Sequence, residues 1–525
     1  MKNMLGIMLD CSRNAVMKVS AVKEFADVMK AAGYNALMLY TEDTYEVNNQ
    51  PYFGYLRGRY SKEEIKELDR YCAEAGIELI PCIQTLAHLE NLLRHIEAYG
   101  DIIDCDDILL IDDEKTYRLI EDMISTLAEC YTTRKIHIGM DEAYRVGTGK
   151  YQKLHGIKDR FDVINGHLHK VCDICKKYGF EPMIWSDMFC KLALNADNQF
   201  KLDNFSDIAK KASVPESVSL VYWDYYSSDY NRYDSLIKAN QAFDRRVLFA
   251  GGLWTWGSFA PDNAYSIKNS EVAISACNDN GVLDTFFTVW GDDGAECSKL
   301  CILPSLFAVG EMASGGNEES ARLLFKNAVG CDYDDFMLLD RIDKPMSDGS
   351  YKHSSKRFLY NDPFSGFLDK LCVGDEESYY GELAASLDGA AKRNTRFSYL
   401  FESYAALARL LALKAGIGIK TRAAYSNKDA AALKAVICDY EKLEKLISDF
   451  HAAFKKLWFF ENKPHGFEVQ DIRLGGLLQR VKSCKERLIS LSNGEITNIE
   501  ELDDEILDKK SYPIAWHHTV SVNTL

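Results

Sequence analysis

No stretch of the chain reaches the roughly 18 uninterrupted apolar residues that a membrane-spanning helix needs. The first ten residues, Met1 to Asp10, carry one lysine and an apolar run too short for a secretory signal, so they read as a first strand. Both observations lead us to expect a cytoplasmic protein. Positive charge is also short. There are 62 Lys and Arg against 79 Asp and Glu, a net charge of -17 that leaves no basic footprint for nucleic acid or an anionic membrane. Neither is expected as a partner, and acidity alone keeps a soluble protein dispersed.

Fifteen cysteines in 525 residues do not make a disulfide framework, and without export they should stay reduced. Cys172 and Cys175 form a C-x-x-C, but inside an apparent helix from Val163 to Tyr178, and no second pair lies at zinc-finger spacing. Buried thiols on a core face are the plainer reading. A phosphate-binding glycine loop followed by Lys-Ser/Thr is missing, and Gly251-Gly252 reads as tight packing at a strand's end. The first strand also lacks the H-x-H of metal-dependent barrel hydrolases. His137, His88 and the nearby acids are therefore not expected to hold a metal, and no cofactor is implied.

What is present is a regular alternation from Leu5 to about Gly315 of short apolar runs and amphipathic stretches. The expected strands are Leu5–Asp10, Asn35–Tyr40, Glu78–Ile83, Lys135–Gly139, Glu181–Trp185, Ser219–Trp223, Val247–Gly252 and Asp284–Val289. Helical stretches such as Ala15–Ala32, Ser61–Ala75 and Asp262–Cys277 lie between them, and Ser61-Lys62-Glu63-Glu64 is a capping-box start. Eight βα units predict an α/β fold, a (β/α)8 TIM barrel over residues 1–315, with the active site at the strands' C-terminal ends. From about Asn317 the alternation stops. Ala385–Lys420, Lys428–Phe460 and Arg473–Leu491 have long helical periodicity, so 316–525 is expected to be an all-helical domain that covers a barrel flank or forms a homodimer interface. The break at 462–473 is either a plain turn or a loop reaching a barrel mouth.

Polar and aromatic residues gather at the expected strand ends. These are Asp10 to Arg13, Tyr40 to Asp43, Gln84 with His88, Asp141-Glu142, Trp185 to Asp187, Trp223 to Tyr226, Trp254 to Trp256, and Trp290 to Asp293. Five of the chain's seven tryptophans fall there, more than packing alone would place. Indoles stack on the C–H faces of sugars, while carboxylates and arginine bind hydroxyls, so a glycan is the ligand class that fits. Each tryptophan singly is as well explained by core or rim packing.

Most glycosidases place two carboxyl groups on opposite sides of the sugar. Asp141 and Glu142 are neighbours, about 3.8 Å apart at Cα, and approach from one wall. One can serve as general acid while the other orients a substrate group that itself attacks. Like charges held close are also expected to push one pKa up. The bland alternative is an Asp-Glu that starts a helix or pairs with Arg145.

The block His137-Ile138-Gly139-Met140-Asp141-Glu142 resembles the H-x-G-x-D-E signature of glycoside hydrolase family 20, the β-N-acetylhexosaminidases, and Leu9 to Arg13 resembles that family's strand-one segment with its sugar-binding arginine. The resemblance covers roughly Leu5 to Gly315 and implies a retaining exo-hydrolase for terminal β-linked N-acetylglucosamine or N-acetylgalactosamine. It implies Glu142 as general acid/base, Asp141 as holder of the 2-acetamido nitrogen, and an oxazolinium intermediate. Arg13 and Asp292 would bind the far hydroxyls, with Trp185, Trp223, Trp254 and Trp290 around the sugar. Tyr225 is the better candidate for the acetamido oxygen and Tyr226 the second. The chain departs from the pattern where Leu86-Ala87-His88 stands for Gly-His-Ala, Tyr-Thr-Glu-Asp for His-x-x-Asp, and Trp254-Thr255-Trp256 where many members place the tyrosine. Members often carry a domain before the barrel, whereas strand one is expected here almost at Met1. Glu42, Asp43, His88 and Asp292 are the candidates to surround the 4-hydroxyl. Two other readings stay open: a retaining glycosidase pairing Glu142 with Asp292 or Asp293, and a catalytically silent sugar-binding protein.

Overall fold

Eight apolar runs close into a parallel barrel: β1 (Leu5–Asp10), β2 (Ala36–Tyr40), β3 (Glu78–Cys82), β4 (Lys135–His137), β5 (Glu181–Trp185), β6 (Ser219–Trp223), β7 (Val247–Gly252) and β8 (Thr285–Val289). The computed structural model describes residues 3–189, 213–508, 515–521 and 523. Each strand pairs with its sequence neighbours, and β8 closes the ring against β1 with Leu9 opposite Val289. The strands are apolar on both faces because both are covered. Met8, Met38, Ile80, Met183, Val221, Leu248 and Phe286 fill the interior, while Ile7, Leu9, Leu37, Leu39 and Ile136 pack outward.

The outer helices are α1 (Val19–Ala31), α2 (Lys62–Ala75), α3 (Glu114–Cys130), α4 (Arg160–Lys177), α5 (Tyr230–Gln241), α6 (Asn263–Asp279) and α7 (Leu303–Ala313). The Ser61/Glu64 capping box forms as expected, and Asp113, Asp159, Asp229 and Asp262 cap four other helices. Cys172 and Cys175 are buried free thiols on α4. A small hairpin, Ile103–Cys105 with Ile108–Leu109, lies in the long β3–α3 connection. Strands that short carry no periodicity a sequence reading can use.

Beyond α7 the chain is helical: α8 (Glu318–Val329), α9 (Glu376–Arg393), α10 (Ser398–Lys414), α11 (Ile417–Ser426), α12 (Ala430–Glu461) and α13 (Phe467–Ser492), with short helices between. The single stretch expected over Ala385–Lys420 is three helices. Asn394 ends the first because its side chain donates to Asp335 (2.7 Å) and accepts from the Asp332 N–H (2.9 Å). These helices share one apolar cluster with the barrel's outer layer, as where Phe259 meets Phe450 and Phe454 at 5.6 and 5.8 Å. Residues 462–466 form the turn between α12 and α13, and it rests on the loops after β1 and β2. Lys463 N–H donates to the Val16 carbonyl, its ammonium donates to the Arg59 carbonyl (3.0 Å) and pairs with Glu64 at the start of α2 (2.7 Å), and Asn14 donates to the Gly466 carbonyl (2.8 Å). Among the described residues no helix is long and apolar enough to cross a membrane.

Candidate active site

Strand β4 stops at His137 because the backbone then turns sharply. Gly139, Met140 and Glu142 take φ of 71°, 74° and 52°. A left-handed conformation at a residue with a side chain costs about 1–2 kcal/mol, so the surroundings must hold it. The Gly139 N–H donates to His137 Nδ1 and the Met140 N–H to Gln84 Oε1, both at 3.1 Å. A Cβ on Gly139 would stand 2.0 Å from Gln84 Oε1 and 2.8 Å from the Ile83 carbonyl, so only glycine fits. The turn separates the two acids: Asp141 is buried, while the Glu142 side chain is 41% exposed at the mouth.

Asp141 is held from two sides. Gln84 Nε2 donates to Oδ1 at 2.8 Å, and His88 Nε2 lies 3.3 Å from Oδ2. Burial alone would raise its pKa, but the His88 charge beside it and the hydrogen bond from Gln84 outweigh burial and hold the carboxyl below its usual range. Burial likewise opposes the charge on His88, and Asp141 overrides it, raising the imidazole to about 9. Asp141 and His88 are thus an ion pair at neutral pH. The upward shift expected from adjacent acids does not occur at Asp141, because a cation stands beside it. Glu142 receives a hydrogen bond from the Tyr144 hydroxyl (3.2 Å), and its Oε2 is 3.7 Å from His88 Nε2.

Across the cavity Arg13 lies near three carboxylates, Asp10 (3.4 Å), Glu42 (3.4 Å) and Asp292 (3.6 Å). Its guanidinium sits 4.7 Å from the Tyr40 ring and 4.8 Å from that of Trp290. Burial pushes Glu42 up to about 7 against the pull of Arg13. Lys299, itself buried, donates to the Val289 and Trp290 carbonyls at 2.8 and 2.7 Å and so pins the end of β8.

Arg13, His88, Asp141, Glu142, Trp185, Trp223, Tyr225, Trp290 and Asp292 all line this one cavity, joined by Tyr226 and Trp256. Trp223 stacks on Tyr225 (5.2 Å, 22°), and Trp185 leans on the neutral, buried His137 (4.4 Å). Gly252 allows this packing, since a Cβ there would stand 2.8 Å from Trp256 and 3.0 Å from Tyr225. Trp254 is the expected residue that the structure moves off the wall. It stacks behind Trp256 (3.9 Å, 23°), donates from its indole to the Trp256 carbonyl (3.1 Å), and has the Lys352 ammonium 3.5 Å from its ring centroid. Of these two indoles the second, Trp256, faces the cavity. Gln84 was visible only as a polar strand end, and no local pattern assigns it to Asp141.

The profile described as "Glycosyl hydrolase family 20, catalytic domain" matches residues 5–228, and "Glycoside Hydrolase 20C C-terminal domain" matches 334–516. The chain belongs to glycoside hydrolase family 20. It is accordingly a glycoside hydrolase of the β-hexosaminidase type. Hexosaminidase D of Bos taurus is 24% identical over 275 residues, covering 50% of this chain and 73% of the bovine protein. Hexosaminidase D of Homo sapiens is 27% identical over 227 residues, covering 41% of this chain and 43% of the human one. Among solved structures, the GH20 exo β-N-acetylglucosaminidase of Vibrio harveyi in complex with N-acetylglucosamine superposes with a TM-score of 0.47 at 14% identity, over 65% of this chain and 58% of that one. In this family-20 chain the H-x-G-x-D-E block is thus a turn with three jobs. His137 and Gly139 make the bend, Asp141 is driven to the floor, and Glu142 is left at the rim.

Proposed function

We propose that the enzyme is an exo-acting, retaining β-N-acetylhexosaminidase that releases terminal β-linked GlcNAc or GalNAc from a glycan, with the sugar's own acetamido oxygen as nucleophile. The observation that carries this reading is Asp141, a buried carboxylate kept ionised by His88 and oriented by Gln84, one residue from the solvent-facing Glu142. An ionised acceptor on the cavity floor suits an amide N–H better than an anomeric carbon. Asp141 takes the acetamido N–H and makes its carbonyl oxygen a stronger nucleophile. That oxygen attacks the anomeric carbon as the glycosidic C–O bond breaks and Glu142 delivers its proton to the leaving oxygen. The cationic oxazolinium that results lies beside the Asp141 charge. Water, deprotonated by Glu142, opens it from the leaving-group side, and the β configuration is retained. Tyr225 donates to the acetamido oxygen. Trp185, Trp223, Trp256 and Trp290 wall the ring, and Arg13 with Asp292 binds the far hydroxyls.

The division into a catalytic barrel (1–315) and a helical domain (316–525) belongs to the same proposal, supported by the change to helices alone after α7 among the described residues. So does a reducing, cytoplasmic setting, supported by the free thiols of the described cysteines. A protein nucleophile finds less support. Asp293 is taken up by Lys356, Arg473 and the Trp516 N–H, and Asp292 faces Arg13.

A panel of aryl β-glycosides differing only at C2 and C4 tests the proposal. Hydrolysis should require the 2-acetamido group, Glu142→Gln should lower kcat by about 100-fold or more, and a thiazoline mimic of the cyclised intermediate should inhibit strongly. Equal turnover of sugars lacking the acetamido arm, or a covalent adduct trapped by a 2-fluoro sugar, refutes it. Sugar binding by calorimetry with no turnover would make the protein a silent receptor.

A further inference from the structure

The loop after β8 carries Asp292 into the cavity and is gripped from behind by the helical region. Asp293 and Ala295, on either side of Gly294, have φ of 59° and 52°, an unfavourable backbone for residues with side chains that something must hold in place. Lys356 Nζ donates to the Asp293 carbonyl (2.9 Å) and pairs with its carboxylate (2.8 Å) and with Glu296 (2.6 Å). Arg473 forks across the same two acids, at 3.1 Å to Asp293 Oδ1, 2.8 Å to the Asp293 carbonyl and 2.8 Å to Glu296. Gln470 Nε2 donates to the Gly294 carbonyl (2.9 Å), and the Trp516 N–H donates to Asp293 Oδ2 (3.1 Å). The Lys356 and Glu296 side chains are wholly buried, and Arg473 is 6% exposed. Two buried cations matched to two acids fix geometry more than they add stability, since removing one member leaves an uncompensated charge.

We infer that Lys356 and Arg473 are positioning residues: through Asp293 and Glu296 they set where Asp292 stands opposite Arg13, and so how the enzyme reads the far-side hydroxyls of its sugar. The helical region thereby completes the specificity pocket without lining it. This rests on the hexosaminidase reading above. Asp292 is one peptide bond from the clamped residue, its carbonyl accepts from the Gly257 N–H (3.1 Å), and its carboxylate meets Arg13 Nε at 3.6 Å. On one side the Gly291 N–H is anchored to Asp10 Oδ2 (2.8 Å), and on the other the buried network holds Asp293.

Arg473→Lys keeps the charge and loses the fork, and so is the milder variant. Lys356→Met is the harsher companion. For wild type, R473K, D292N and R473K/D292N, kcat/KM is measured on aryl N-acetyl-β-glucosaminide and its C4 epimer, with Tm recorded alongside. R473K should lose about tenfold in kcat/KM, chiefly through KM, and its gluco/galacto ratio should move toward that of D292N. The double variant should fall no lower than D292N, because both changes remove the same contact. A folded R473K with the wild-type epimer ratio, or losses that multiply in the double variant, overturns the inference while leaving the hexosaminidase reading intact. If R473K fails to fold, K356M is read by the same cycle. Wild type that cleaves neither epimer overturns both.

Discussion

Gly139→Ala should disable the catalytic turn through one added methyl. The new Cβ would lie 2.0 Å from Gln84 Oε1, 2.5 Å from its Cδ and 2.8 Å from the Ile83 carbonyl. The strand-end carbonyl cannot move far, so the Gln84 amide must swing away. It then gives up its bonds to Asp141 (2.8 Å) and the Tyr40 hydroxyl (2.9 Å), and the one it accepts from the Met140 N–H (3.1 Å). A bond to a charged group is worth about 2 kcal/mol and the neutral ones about 1 each, and alanine at a φ of 71° adds about 1 more. The total is about 5 kcal/mol, a large share of a typical folding free energy of about 5–15 kcal/mol. Differential scanning fluorimetry should show Tm lower by about 5 °C. Turnover of an aryl N-acetyl-β-glucosaminide should fall about 100-fold, because Asp141 loses one of the two groups that aim it. Gly166→Ala is the control. That glycine is exposed on α4 with nothing within 4 Å of its Cβ, so the change should be neutral or slightly stabilising. A G139A protein with wild-type Tm and activity within about twofold would refute the account of the turn.

Stability should also report the ion pair on the floor. His88 is raised to about 9 from 6.5, so its contribution is whole below about 6.5 and is lost as pH climbs through 9. Wild-type Tm should fall across pH 7 to 10 more than that of His88→Gln, and parallel curves would contradict the pairing. The two stacked indoles should separate by role. Trp256→Ala removes cavity wall and should raise KM about tenfold or more. Trp254→Ala removes the buttress and should show first as a lower Tm with a smaller change in KM. The reverse order would return Trp254 to the wall.

Much of the barrel was readable from local pattern, since a strand buried on both faces is an apolar run and its β-to-α return is punctuated by caps and glycines. The expected strands match the observed ones to within a residue or two, and the acids at the end of β4 stood out because carboxylates do not follow an apolar run without cause. Three things could not be read that way. Trp254 and Trp256 are equally aromatic and equally placed in the chain, and only the path of the loop after β7 turns one inward. His88 holds the Asp141 carboxyl below its usual range, and that cation arrives from the loop after β3, 53 positions away in the chain. The grip of Lys356 and Arg473 on the β8 loop joins residues up to 180 apart. Local sequence sets which backbone forms and which face is apolar. Charge pairing and wall membership depend on distances across the folded chain, so they exist only once the barrel has closed and the helices have docked.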